Sequence, residues 1–158
     1  MNVSDKQFMM RAIEVAQNGV NDNHGGPFGC VVAKDGRIVG EGCNRVTSTN
    51  DPTAHAEIVA IRDACKNLGS FQLDGCVIYT SCEPCPMCLG AIYWSRPAGI
   101  FFAATREDAA EAGFDDKLFY EELEKPNDLR RLKMVSILRD ESRRVFAGWM
   151  EKSDKTEY

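Results

Sequence analysis

The chain has 158 residues, a length that fits one domain with a real core. Its 24 acidic against 19 basic side chains give a formal net charge of −5, a poor footprint for a protein that grips nucleic-acid phosphates. It has no apolar run of about eighteen residues and no secretory apolar core near Met1, and its seven cysteines are odd in number; these features predict a cytoplasmic protein, free of the membrane, in a reducing compartment.

In chain order, Ser4-x-x-Gln7 resembles a capping box, and Phe8, Ala12, Val15 and Ala16 recur at helical spacing. This predicts a first helix over about residues 5–18, ended by Gly19. Asn23 to Gly29 is a glycine-rich loop with no Gly-Lys-Ser/Thr after it, so it does not fit a phosphate cradle. His24 there reads as a solvated loop histidine, and Phe28 as either core or a pocket wall. Cys30–Ala33 and Arg37–Gly40 flank Asp35-Gly36, a strong hairpin signal. After a polar loop through Thr47–Asn50, Asp51-Pro52-Thr53 supplies helix-start chemistry. Ile58, Ile61, Cys65 and Leu68 give that helix a buried stripe, with Gly69 as its stop.

Cys76–Thr80 and Ile100–Ala103 are short apolar strands of the buried parallel kind, joined through a helix that contains Leu89, Ile92 and Trp94. Helical stretches in Asp108–Glu124 are broken by Gly113-Phe114-Asp115-Asp116, whose aspartates are placed to cap the next helix or face a site. Leu132–Ile137 reads as a last strand. Glu141–Met150 reads as a helix packed by Val145, Phe146 and Trp149, and the charged tail to Tyr158 reads as a solvated end. The whole is predicted to be one α/β domain, residues 1–158, with ligands beyond the carboxyl ends of its parallel strands.

Two stretches carry chemistry. His55-Ala56-Glu57 and Pro84-Cys85-Pro86-Met87-Cys88 offer one imidazole and two thiolates, the three-donor set that zinc uses when its fourth position stays open. A helix beginning at Pro84 or Cys85 puts both sulfurs on its first turn, where the positive end favours thiolates. Glu57 then has the place of a general acid/base. A redox pair at Cys85 and Cys88 is the bland alternative, and a closed structural zinc site completed by Cys82 is another. Neither accounts for a carboxylate at Glu57.

With these residues in view, the chain resembles the cytidine-deaminase-like superfamily, and within it the small bacterial guanine deaminases. The general signature is His-x-Glu followed by Pro-Cys-x-x-Cys. Gly25-Gly26-Pro27-Phe28-Gly29, Asn50 to Glu57, Tyr79 to Cys88, Ala109 to Asp116 and Glu157-Tyr158 all match, so the likeness spans nearly the whole chain. The resemblance implies a three-layer α-β-α fold with a five-stranded, mostly parallel mixed sheet. It implies one zinc per subunit on His55, Cys85 and Cys88, Glu57 as proton shuttle, and Cys82 as a neighbour rather than a ligand. It assigns substrate contacts to Asn44, Phe28, Ala56 and Tyr158, and an acidic residue at the leaving amino group to Asp116. Trp94 is a further candidate for the pocket wall, though its helix position equally suits the core. A homodimer is implied, with residues 140–158 exchanged between subunits. The expected reaction is hydrolysis of guanine to xanthine and ammonia. The rivals are deamination of guanosine or another nucleobase, deamination of adenosine in tRNA, and a non-catalytic zinc-stabilised binding module.

Overall fold

The computed structural model describes residues 3–158, which divide into two compact units, one reaching to Lys117 and the other running from Leu118 to Tyr158. The first unit is a sheet between helices. Helix α1 (Val3–Asn21) precedes the hairpin of β1 (Gly29–Lys34) and β2 (Arg37–Cys43). A short helix, α2 (Val46–Thr49), stands where the sequence predicts a polar loop, and α3 (Ala56–Leu68) follows. Then come β3 (Val77–Cys82), α4 (Pro86–Ser95), β4 (Gly99–Ala104) and α5 (Arg106–Glu111). The hairpin turns at Asp35 and Gly36, which both take positive φ (50° and 75°), as a two-residue turn between twisted strands requires.

The sheet order is β2-β1-β3-β4. Only β3 and β4 pair in parallel; β1 is antiparallel to both neighbours. The sheet is thus mixed as expected, with four strands among the described residues instead of five and a smaller parallel share. The physical cause is the hairpin, which sets β1 antiparallel in the middle of the sheet. Strand alternation sorts the core into two layers. Val31, Ala33 and Tyr79 face α1, where Ala12 is fully buried. Cys30, Val32 and Ile78 face Ala56, Ala60 and Ala64 of α3 and Ile92 of α4. Tyr79 also donates its hydroxyl to Asp5 on α1 (2.8 Å) and stacks on Phe101 at 5.2 Å.

Helix α3 lies unusually close to β2. A Cβ at Gly42 would come within 2.5 Å of both the Ala56 carbonyl and the Ala60 amide, and one at Gly40 within 2.5 Å of the Ala64 amide. Small residues on both elements let the backbones touch, and this fixes where α3 begins. The fully buried side of the helix is therefore Ala56, Ala60 and Ala64, while Ile61, Cys65 and Leu68 pack as a half-buried margin. Three expected boundaries change: α1 runs past Gly19, which is buried against Cys43, to Asn21. Ser4 lies within α1, so it is not the cap. Asp51-Pro52-Thr53 forms a turn, in which Asp51 Oδ1 accepts from Thr53 N (2.8 Å) and Oγ1 (2.7 Å), and α3 starts three residues later.

The second unit contains most of α6 (Lys117–Leu123), a 3-10 turn (Asn127–Leu129) and α7 (Arg139–Glu151). Glu122 organises it, accepting from Lys125 Nζ (2.6 Å) and the Arg131 amide (2.7 Å). The expected strand at 132–137 is irregular, with Leu132, Val135 and Ile137 exposed. It has the residue types of a strand but no ladder to join in its own unit. Helix α7 forms where expected. No residue of it is buried, so Val145, Phe146 and Trp149 do not serve as a core face within this chain. No helix among the described residues is long and apolar enough to cross a membrane.

Candidate metal centre and active site

Two helix N-termini meet at the end of β3. His55 is the N-cap of α3, in extended conformation (φ −68°, ψ 156°), and Cys85 is the N-cap of α4 in nearly the same one (φ −65°, ψ 166°). Neither side chain caps its own helix, so both are free to turn into the space between the helices. Pro86 starts α4 at a position where a missing N–H costs nothing, and Cys88 follows in the first turn. His55 Nδ1 is 3.5 Å from the sulfurs of both Cys85 and Cys88.

That spacing is a test of the donor set. A tetrahedral zinc at about 2.0–2.1 Å from nitrogen and about 2.3 Å from sulfur holds those atoms roughly 3.6 Å apart. The three donors all lie within 4.8 Å of one another, and among the described residues they are the group fit to hold a metal. Cys82 is not part of it: its buried thiol donates to the Thr105 carbonyl (3.5 Å) and is pushed up to about 11, chiefly by burial. A redox pair accounts for neither the imidazole within 3.5 Å of both sulfurs nor the carboxylate beside them.

The electrostatics favour a cation. Cys85 is pushed down to about 4, first by the hydrogen bond from Cys88 and then by His55, against the opposing effect of burial. Cys88 is pushed up by the same shared proton and by burial, and His55 is raised by its contact with the Cys85 sulfur. These contacts favour the thiolate at Cys85, and both sulfurs give up their protons as a metal binds.

Glu57, in the first turn of α3, is buried with 6 % of its surface exposed. Its Oε2 accepts from the Cys88 thiol at 3.3 Å, and its Oε1 from Thr80 Oγ1 at 3.5 Å. Burial raises its pKa above the ordinary 4.5. The site thus holds a buried carboxyl beside the metal donors, the place an acid/base would occupy.

Around this centre the expected substrate residues fall unevenly. Asn44 follows β2 and is buried. Its Oδ1 accepts from the amides of Gly26 (3.3 Å) and Val46 (3.2 Å), which leaves the amide NH2 as the group it can offer. Gly25 makes room for it, since a Cβ there would lie 2.3 Å from that oxygen. Phe28 is half-buried against the core cluster that contains Ala56 and Ile92. Ala56 is fully buried between His55 and Glu57, with its N–H among the first-turn donors of α3. Asp116 is half-buried; burial raises its pKa, and the next cause is the charge of Cys85, which brings it into this neighbourhood. Trp94 is 66 % exposed and lies six residues beyond Cys88, about 240° around α4, so it does not share the ligand face. Tyr158 belongs to the second unit, where it is exposed. His24 is half-buried, with Nδ1 3.6 Å from Cys43 Sγ, rather than solvated. Two residues gain a place that the sequence did not assign: Thr80, which steadies Glu57, and Phe114, whose ring meets Phe28 edge-on at 4.9 Å.

Comparison with known proteins agrees with this geometry. The model of the cytidine and deoxycytidylate deaminase zinc-binding region matches residues 2–104. A guanine deaminase of Bacillus subtilis is 53 % identical over 156 residues, 99 % of this chain and 100 % of that protein. The solved structure of guanine deaminase from Bacillus subtilis superposes with a TM-score of 0.95 at 54 % identity, covering 100 % of this chain and 99 % of the other. A tRNA-specific adenosine deaminase of Buchnera aphidicola is 35 % identical over 147 residues, 93 % of this chain and 94 % of its own.

Proposed function

This chain belongs to the cytidine and deoxycytidylate deaminase zinc-binding family, and from that premise we propose that it hydrolyses guanine to xanthine and ammonia. The carrying observation is the meeting of three metal donors, all within 4.8 Å of one another, with one buried carboxylate, in a chain that resembles a guanine deaminase over its full length.

His55, Cys85 and Cys88 hold the zinc, which when bound supplies a Lewis acid and a water acidified to about pKa 7. Glu57 takes a proton from the attacking water and passes it to N3 of guanine as C2 becomes tetrahedral. Glu57 then takes the proton of the new C2 hydroxyl and, with Asp116, passes it to the amino group, which departs as ammonia as the C2–O double bond of xanthine forms. Asn44 offers its NH2 to an acceptor on the purine edge, and Phe28 lies flat against the ring. A terminal tyrosine ordered over the pocket, the role the resemblance gives Tyr158, would exclude water.

The protein acts as one deaminase domain in the cytoplasm, as a homodimer that exchanges residues 140–158. The uncovered apolar side chains of α7, with Tyr93 and Trp94 on α4, support this arrangement, because surfaces of that kind ask for a partner. The excess of acidic side chains argues against a tRNA substrate.

Ammonia release from guanine, guanosine, adenine, cytosine and tRNA, measured in parallel on the zinc-loaded protein, is the test. Release from guanine alone is expected. Release from tRNA alone would overturn the reading, and silence on all five would return the chain to a zinc-stabilised binding module.

A further inference from the structure

Phe114 has no part in the chemistry above, yet its ring is seated at the edge of the site. Helix α5 ends where Gly113, at a φ of 92°, turns the chain. The Gly113 N–H donates to the Ala110 carbonyl (3.0 Å) and the Phe114 N–H to the Ala109 carbonyl (2.9 Å), closing the helix around a left-handed residue. The turn lays the Phe114 ring on the glycine-rich loop, with its plane at 86° to that of Phe28, an arrangement aromatic pairs favour. Gly26 lies close to both rings: a Cβ there would be 3.1 Å from two ring atoms of Phe114 and 3.2 Å from the ring of Phe28, so the rings would have to give by a few tenths of an ångström.

The chain beyond the ring is pinned as well. Asp115 Oδ1 accepts from the Lys117 amide at 2.9 Å and starts α6. Asp116 therefore sits on a two-residue span with one end docked on Phe28 and the other fastened to a helix start. Phe114 itself is 44 % exposed, so the ring is not there mainly to fill the core.

We propose that Phe114 is a positioning residue: docked on Gly26 and Phe28, it sets where the Asp116 carboxylate stands and thereby governs the step that expels ammonia. The inference rests on the guanine deaminase reading and on Asp116 as the group that meets the leaving amine. A misplacement of about 1 Å at a reacting centre can cost about a hundredfold in rate, so a side chain that touches no substrate can still control turnover.

The test compares wild type, Phe114→Ala, Asp116→Asn and the double variant as zinc-loaded proteins on guanine, with zinc content and thermal midpoint measured for each. Phe114→Ala is expected to lower kcat by about ten- to a hundredfold with a smaller change in KM and full zinc. Phe114→Tyr is expected to restore most of the rate, because it keeps the ring. In the Asp116→Asn background, Phe114→Ala is expected to cause no further fall. Should Phe114→Ala fold poorly, Phe114→Leu takes its place in the same comparison. An unchanged kcat, a change confined to KM, or an equal fall in both backgrounds would overturn the proposal. A wild-type protein inert toward guanine would instead sink the reading beneath it, so the two failures are separate results.

Discussion

The Cys88 thiol donates to Oε2 of Glu57 across 3.3 Å, though the two residues lie 31 positions apart on different helices. With Thr80 on β3 holding the other carboxylate oxygen at 3.5 Å, three elements share the aiming of one side chain. In the metal-free protein both contacts aim it; once Cys88 gives up its proton to bind a metal, Thr80 is the donor that remains.

Glu57→Gln tests what that carboxylate does. The amide keeps the shape and the contact with Thr80 but cannot shuttle a proton. Zinc content is expected to stay near one per chain while ammonia release from guanine falls by about a thousandfold or more, in the range that loss of a positioned acid/base produces. A variant with full zinc and near-normal turnover would remove Glu57 from the proton path.

The cysteines divide the same way. Cys82→Ala should keep its zinc and cost about 1 kcal/mol, because it loses only a weak thiol contact to the Thr105 carbonyl and a little packing. Cys85→Ala should lose its metal, because it removes one of the three donors. Metal analysis of the two purified variants checks both. A zinc-free Cys82→Ala protein would bring back the closed structural site.

What was legible in the sequence follows the range of each interaction. The hairpin could be read because Asp35-Gly36 meets its backbone demand within two residues, and both metal half-sites could be read because their spacing is local. The start of α3 could not: it depends on the close approach of Ala56 and Ala60 to Gly42, and this contact leaves Pro52 in a turn. The strand expected at 132–137 failed because residue type supplies propensity but not a ladder. The same limit applies to Asn44, whose oxygen is claimed by amides on either side of it in the fold, and to Phe114, whose role needs Gly26 and Phe28 brought to it.

Tyr79 provides a pH signature away from the metal. Burial, and then its hydrogen bond to Asp5, push its hydroxyl from the ordinary 10.0 up to about 12. The fold therefore favours the neutral phenol. That stabilisation is fully present below pH 10 and is lost as the pH climbs from 10 through about 12. Thermal midpoints of wild type and Tyr79→Phe should differ at neutral pH, where the wild type keeps the bond to Asp5, and should converge over that alkaline window. A gap that stays constant across it would show that the phenol does not titrate differently in the folded state.

Asn44→Asp separates holding the loop from holding the substrate. The amide oxygen accepts from Gly26 and Val46, and a carboxylate at the same place can accept both, so the glycine-rich loop should keep its position. What disappears is the NH2, the only part of Asn44 left to face a purine acceptor, and a negative charge replaces it. The expected result is a folded, zinc-loaded protein whose KM for guanine rises tenfold or more, in line with the roughly 1–3 kcal/mol that follows when a buried polar partner is left unpaired. Asn44→Ala should do worse on both counts, since it frees the loop as well as the substrate. If Asn44→Asp bound guanine as wild type does, the donor role would be wrong and Asn44 would serve the loop alone.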